Sequence, residues 1–182
     1  MYFLIYQFDY DCFHLRIIKN FLNEQIPTDV RGHKYITSKI LDIDYNEVNE
    51  NQVNNFKLLF FKLLYGSETI EHDVFLNVNK FKNTDFVNYK TLLGRSEKPK
   101  DKNSFNYFIQ KCEVDIITVA LIDILKYMND NKLKSKICLY QYDALFFDFH
   151  KDEIDHIDNI KTIMELDNQY KVNIKSSTNF IF

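Results

Sequence analysis

The first eight residues, Met1 to Phe8, are apolar everywhere except Gln7 and read as a buried strand. Phe13, Ile17, Ile18 and Phe21 then recur at helical spacing, so the chain turns from strand to helix across Asp9–Cys12. Thr28-Asp29 offers an N-cap to a helix carrying Val30, Tyr35, Ile36 and Leu41. From Glu47 to Leu64 the spacing is again helical, and Gly66 stands where a C-terminal stop is expected. Residues 67–90 are mixed and read as short helices, Thr91–Arg95 as a short strand, and Ser96–Lys102 as a polar turn. A broad apolar stripe through Phe105, Phe108, Ile109, Val114, Ile117, Ala120, Leu121 and Ile124 predicts a long helix ending near Met128. Residues 137–149 read as a hairpin with Asp143 near its turn. Lys151–Leu166 reads as a helix with an acidic outer face, and Val172–Ile174 as a final strand. The order predicts an α+β fold, antiparallel strands with helices laid against them, without repeats or an evident linker.

Composition narrows this picture. A chain of 182 residues is one domain, or one domain plus a small appendage. With 23 basic against 26 acidic residues, the net charge of −3 lacks the basic surplus of a free-standing nucleic-acid clamp. Only 3 glycines and 2 prolines leave most of the chain to regular structure. Cys12, Cys112 and Cys138 are odd in number and widely spaced, which argues against a disulfide framework or zinc site and for a reducing, cytoplasmic setting. The apolar start lacks a basic flank and is too short for a signal peptide or membrane span.

The candidate chemistry lies at two strand ends. Asp9 follows the first apolar run, and Asp143 sits between the β-like runs Ile137–Gln141 and Leu145–Phe149. Two carboxylates at adjacent strand ends can hold divalent ions about 3.5–4 Å apart, the arrangement of phosphoryl and nucleotidyl transfer. The plainer alternative is a pair of turn aspartates, since Asp favours strand ends. Between them, Lys57, Phe61 and Tyr65 recur every four residues and share one helix face. A lysine there can meet phosphates and the two rings can stack on a base. The alternative is an amphipathic helix that buries Phe60, Phe61, Leu64 and Tyr65 and leaves Lys57 solvated. Two patterns are set aside: Asp42–Val53 lacks the glycine and terminal glutamate of an EF-hand, and His150 and His156 are six apart rather than four.

Taken in order, these features resemble the palm and fingers of family-A DNA polymerases, the bacterial DNA polymerase I type. Asp9-Tyr10-Asp11-Cys12-Phe13-His14-Leu15-Arg16 is similar to that family's D-Y-S-Q-I-E-L-R at Asp9, Tyr10, Leu15 and Arg16. Lys57, Phe61, Tyr65 and Gly66 match R-x3-K-x3-F-x3-Y-G, with Val53 in place of the arginine. Gly94-Arg95, Asn106 and Gln110 resemble the stretch that contacts primer and template, with Lys102 at a further arginine position. Tyr142-Asp143-Ala144 takes the place of H-D-E, and Asn179-Phe180 that of a terminal N-W. Such drift is of a kind phage members tolerate, and a viral chain would work in the host cytoplasm.

The resemblance implies template-directed DNA synthesis, with two Mg²⁺ ions held by Asp9, Asp143 and the Tyr10 carbonyl. It implies nucleotide binding by Lys57, Phe61, Tyr65 and His14, and DNA contacts by Arg16, Arg95, Lys102, Asn106, Gln110 and Tyr142. His14 stands where the family has a glutamate that excludes the ribose 2′-hydroxyl, so sugar selection need not follow the family. For Asn106 and Gln110 the competing reading is exposed polar positions on a helix. The implied layout is a palm over residues 1–182 with fingers inserted at about 28–90, without thumb or exonuclease domain. The implied partners are primer-template DNA, deoxynucleoside triphosphates and a separate thumb or exonuclease chain, with no membrane. The rival expectation is a non-catalytic polymerase-like module that docks on a replication partner.

Overall fold

The computed structural model describes residues 4–66, 71–84, 86–96 and 104–177; Lys102, Asn179 and Phe180 lie outside them. The chain divides into two units, Met1–Phe13 with Ile116–Phe182, and His14–Asp115.

The first unit is built on a four-stranded antiparallel sheet, in the order β2-β3-β1-β4. Its strands are β1 (Leu4–Tyr10), β2 (Lys136–Gln141), β3 (Ala144–Phe149) and β4 (Val172–Ser177). The two central strands carry the apolar side chains: Phe8, Tyr10, Leu145, Phe147 and Phe149 are buried. Pairs such as Phe8↔Leu145 and Tyr6↔Phe147 stand on one face, where Phe8 and Phe147 meet edge-on at 4.9 Å. Edge strand β2 is mostly exposed, and its register shifts between Ile137 and Leu139. After β3, a 3₁₀ turn (Lys151–His156) leads into α6 (Ile157–Met164), so the expected single helix over 151–166 is two pieces. The Tyr10 phenol donates to the Met164 carbonyl at 2.8 Å, tying β1 to the end of α6.

The second unit is helical. It holds nearly all of α1 (Phe13–Phe21), then α2 (Gly32–Leu41), α3 (Glu50–Tyr65), α4 (Asp73–Lys82) and the first turns of α5 (Ser104–Asp130). Helix α2 starts at Gly32 with Arg31 as N-cap, not at Thr28-Asp29 as expected. A capping box fixes the start of α3, with Asn49 Oδ1 accepting from the Gln52 amide at 3.0 Å and Gln52 Oε1 from the Asn49 amide at 2.9 Å. At the other end Gly66 is not left-handed (φ −99°, ψ −177°). Its hydrogen is required because a Cβ there would sit 2.4 Å from the Lys62 carbonyl oxygen. Phe21, Phe81, Phe86, Phe105 and Phe108 form a ring cluster, with Phe86 stacked on Phe108 at 5.0 Å. This cluster takes up five of the 17 phenylalanines of the sequence.

Thr91–Arg95 is a turn, not the expected strand. The Thr91 and Gly94 amides donate to the Arg95 and Thr91 carbonyls, and Gly94 takes a left-handed φ of 77°. Among the described residues, no helix is long and apolar enough to cross a membrane.

Candidate functional site

In the first unit, the sheet register sets the two expected aspartates at the ends of neighbouring strands. Asp9 is the ladder partner of Ala144, and the next amide, that of Tyr10, donates to the Asp143 carbonyl at 3.1 Å. Asp143 is therefore fixed across from Tyr10, one position along from Asp9, at the tip of the β2–β3 hairpin. The turn itself is Tyr142-Asp143, with Tyr142 at φ 55° and 79% exposed. Left-handed backbone is costly for a tyrosine, so the tip holds an aromatic ring out at an unusual backbone conformation. Beyond β1 the chain reverses through Cys12 at φ 55°, and the Asp11 amide donates to the Lys171 carbonyl at 2.8 Å.

Lys175 was not anticipated from sequence. On β4 it pairs with Gln7, on the same face as Asp9 by strand alternation, and its ammonium lies 3.9 Å from Asp9 Oδ2. Asp9 thus already faces positive charge. Two carboxylates and a main-chain carbonyl are hard oxygen donors, the chemistry that suits Mg²⁺. Among the described residues no group of three or more His, Cys, Asp or Glu stands ready to hold a metal ion. A two-carboxylate set still fits, because Mg²⁺ commonly takes one or two carboxylates and completes its shell with water and phosphate.

In the second unit, α3 separates its two faces sharply. Val53, Phe56, Phe60, Leu63 and Leu64 are buried, while Lys57, Phe61 and Tyr65 are exposed in a row. Phe61 and Tyr65, which a purely amphipathic helix was expected to bury, are 39% and 46% exposed. The rings stack at 6.0 Å, and the Lys57 ammonium lies 5.7 Å over the Phe61 ring. Val53, one turn before Lys57 along the same row, is buried and apolar, so no cation is offered there. His14 lies beside the row: its Nδ1 is 2.5 Å from the Tyr65 hydroxyl and its Nε2 is 2.6 Å from Glu113 Oε2.

The expected DNA contacts divide. Arg16 is only 1% exposed, and its guanidinium donates to the carbonyls of Ile26, Pro27 and Val30. It ties down the loop before α2 and offers no surface to DNA, which corrects the expectation. Arg95 is held by the buried Asp115 carboxylate and donates to the Lys111 carbonyl at 3.1 Å. Arg95 and Gln110, with Tyr107, Lys111 and Val114, line an open depression of about 400 Å³. Asn106 is half-buried one turn before Gln110 on α5. Asp115 also accepts from the Thr91 hydroxyl and the Leu93 amide. Burial alone would raise its pKa, but these donors and Arg95 carry it below the usual carboxylate value.

Sequence reasoning missed Glu113, Asp115 and Lys175. Each is an ordinary charged residue locally, and only the fold gives it a partner. The histidines and acidic residues set aside above have structural work: Asp44 accepts from the Asn46 amide, and His156 pairs with the Tyr127 hydroxyl at 2.6 Å. Burial, ahead of the nearby Asp115 charge, pushes the pKa of the Cys112 thiol up to about 12.

No protein-family model and no curated protein matches the sequence. Among solved structures, the chain is similar to the POL domain of Pol1 from M. smegmatis, determined in complex with DNA primer-template and dNTP. The TM-score is 0.81 at 20% identity, over 97% of this chain and 40% of that one. At that identity the likeness is one of fold: the chain has a polymerase-like α+β fold and spans well under half of its neighbour's length.

Proposed function

We propose that the chain is a palm-and-fingers portion of a DNA polymerase that adds deoxynucleotides to a primer 3′ end by two-metal nucleotidyl transfer. The observation that carries this reading is the position of Asp9 and Asp143 at adjacent strand ends, with Asp9 opposite Ala144 and Tyr10 N–H donating to Asp143 C=O at 3.1 Å. Asp9, Asp143 and the Tyr10 carbonyl would hold the ions. When bound, such ions lower the pKa of the attacking hydroxyl and offset charge on the triphosphate.

The protein's own groups then have distinct tasks. Asp9 and Asp143 place negative charge at the hairpin tip, beside which Tyr142 presents its ring to the primer end. Lys57 gives a mobile point charge to the nucleotide phosphates. Phe61 and Tyr65 offer ring faces to the base, and His14 adjoins them. Arg95, Asn106 and Gln110 reach the minor-groove side of the duplex, where uncharged donors meet base acceptors, and Lys102 meets a backbone phosphate. The partners in this reading are primer-template DNA, deoxynucleoside triphosphates and a separate chain supplying thumb or exonuclease parts. The fold likeness and the exposed row on α3 support it.

Primer extension on a recessed 3′ end, with Mg²⁺ and all four deoxynucleotides, tests the proposal. Incorporation by the wild type, lost in Asp9→Asn and in Asp143→Asn, is the expected result. Duplex binding without incorporation, with or without a thumb-bearing partner, would favour a non-catalytic docking module.

A further inference from the structure

Tyr65, His14 and Glu113 form a hydrogen-bonded chain within the second unit, leading from the exposed face of α3 to the third turn of α5. Its outer end, Tyr65, is exposed, whereas His14 and Glu113 are largely covered. With the imidazole neutral, the order of donors along it follows from the groups. An ionised carboxylate only accepts, so Glu113 draws the ring proton of His14 to Nε2. A neutral imidazole protonated there presents a lone pair at Nδ1, which takes the phenol proton of Tyr65. With its proton committed inward, the Tyr65 oxygen can only accept from any third group.

We propose that Glu113 is a positioning residue that acts through His14 to set Tyr65 as a hydrogen-bond acceptor for a nucleotide held along Lys57, Phe61 and Tyr65. The group recognised is a donor of that nucleotide, a sugar hydroxyl or a base amino group. The proposal takes its ligand from the function proposed above and adds to it a polarity at one atom. The covered His14–Glu113 pair is what makes the setting durable, since a carboxylate cannot reverse its role as an amide can.

Glu113→Gln keeps the size of the side chain but allows an amide N–H to donate to Nε2. The tautomer then moves to Nδ1–H, and the Tyr65 hydroxyl turns outward as a donor. The test uses the full chain and equilibrium binding of three probes with Mg²⁺: dATP, 2′,3′-dideoxy-ATP and the 2′-deoxypurine triphosphate that lacks the amino group. Wild type should prefer dATP over one of the two analogues by about three- to tenfold, the worth of one hydrogen bond. That analogue identifies the donor. E113Q should lose the preference, Tyr65→Phe should lose it too, and ¹⁵N shifts of the His14 ring should report the change of tautomer in E113Q. A Nδ1–H tautomer in the wild type, or an unchanged preference in a folded E113Q whose tautomer has moved, overturns the proposal. If the wild type extends primers while its preferences stay flat, this inference falls and the polymerase reading stands; if it binds no nucleotide, both fall.

Discussion

The Tyr10 amide and the Asp143 carbonyl are 3.1 Å apart, which locks the residue after Asp9 to the turn of the neighbouring hairpin. Because this link is main-chain, neither carboxylate is needed to form it. Asp9→Asn and Asp143→Asn should therefore fold, with stabilities within about 1 kcal/mol of the wild type, since the partly exposed Lys175–Asp9 pair, 3.9 Å apart, contributes little. What they should lose is the response to cation. Millimolar Mg²⁺ is expected to raise the wild-type melting temperature, and a ligand at ten times its Kd contributes about 1.4 kcal/mol. Either variant should show no such rise, and a shift that persists in both would place the ion elsewhere. Chelation by EDTA should reverse the wild-type shift and stop incorporation.

Tyr142 sets stability against function at the same hairpin tip. Its left-handed backbone costs roughly 1 kcal/mol for a bulky residue, and at 79% exposed the ring regains little by burial. Tyr142→Asn places a residue that tolerates this conformation there, and should stabilise the fold by about 0.5–1 kcal/mol in urea unfolding. If the ring serves the primer end, the same variant should bind primer-template more weakly. A variant that is both less stable and equally tight for DNA would refute both halves of the argument.

The hairpin, the long helix α5 and the α+β order were legible because their apolar periods are unbroken. The strand-end aspartates were legible for the same reason: strands must stop somewhere, and carboxylates there are conspicuous. Arg16 shows the limit. Its motif position suggested DNA, but only the folded loop reveals three carbonyls waiting for the guanidinium. Thr91–Arg95 misled through its apolar Leu92-Leu93, which are exposed on a turn whose geometry Gly94 dictates. Glu113 and Lys175 were invisible because their partners are distant in sequence, and no local spacing marks them.

Gly66 ends α3 by close approach rather than by a left-handed turn. The Gly66 amide donates to the Lys62 carbonyl at 2.8 Å, and Lys82 Nζ donates to the carbonyls of Leu63 and Gly66, each at 2.5 Å. A cation over a helix C-terminus complements its dipole, so one glycine organises three contacts. Gly66→Ala must push the last turn away from its own cap, and should cost about 1–3 kcal/mol in urea unfolding. The damage should spread to Lys57, Phe61 and Tyr65 through the frayed end of α3. A loss of nucleotide affinity in this variant, although position 66 bears no chemistry, would show that the row depends on the helix stop.

Asp115 sets how the second unit responds to acid. Burial would push its pKa up, but the Thr91 hydroxyl, Arg95 and the Leu93 amide outweigh that and bring it below the ordinary value of 3.8. A depressed carboxylate adds stability that is present in full above its unfolded pKa and is lost as pH falls through the folded one. The loss should therefore begin near pH 4 and deepen below it. Asp115→Asn leaves the turn donors facing an amide, at a cost of about 1–3 kcal/mol at pH 7. It should also flatten the acid limb, so that the two proteins draw closer in stability as the pH falls. Urea denaturation at pH 7, 5, 4, 3 and 2 reads this directly, and parallel curves would mean that Asp115 does not carry the proton uptake. Because Arg95 lines the open depression beside Gln110, the same variant releases its guanidinium from the ion pair, leaving the bond to the Lys111 carbonyl. Primer-template affinity should then rise or hold while stability falls, a pairing that a simple unfolding defect would not produce.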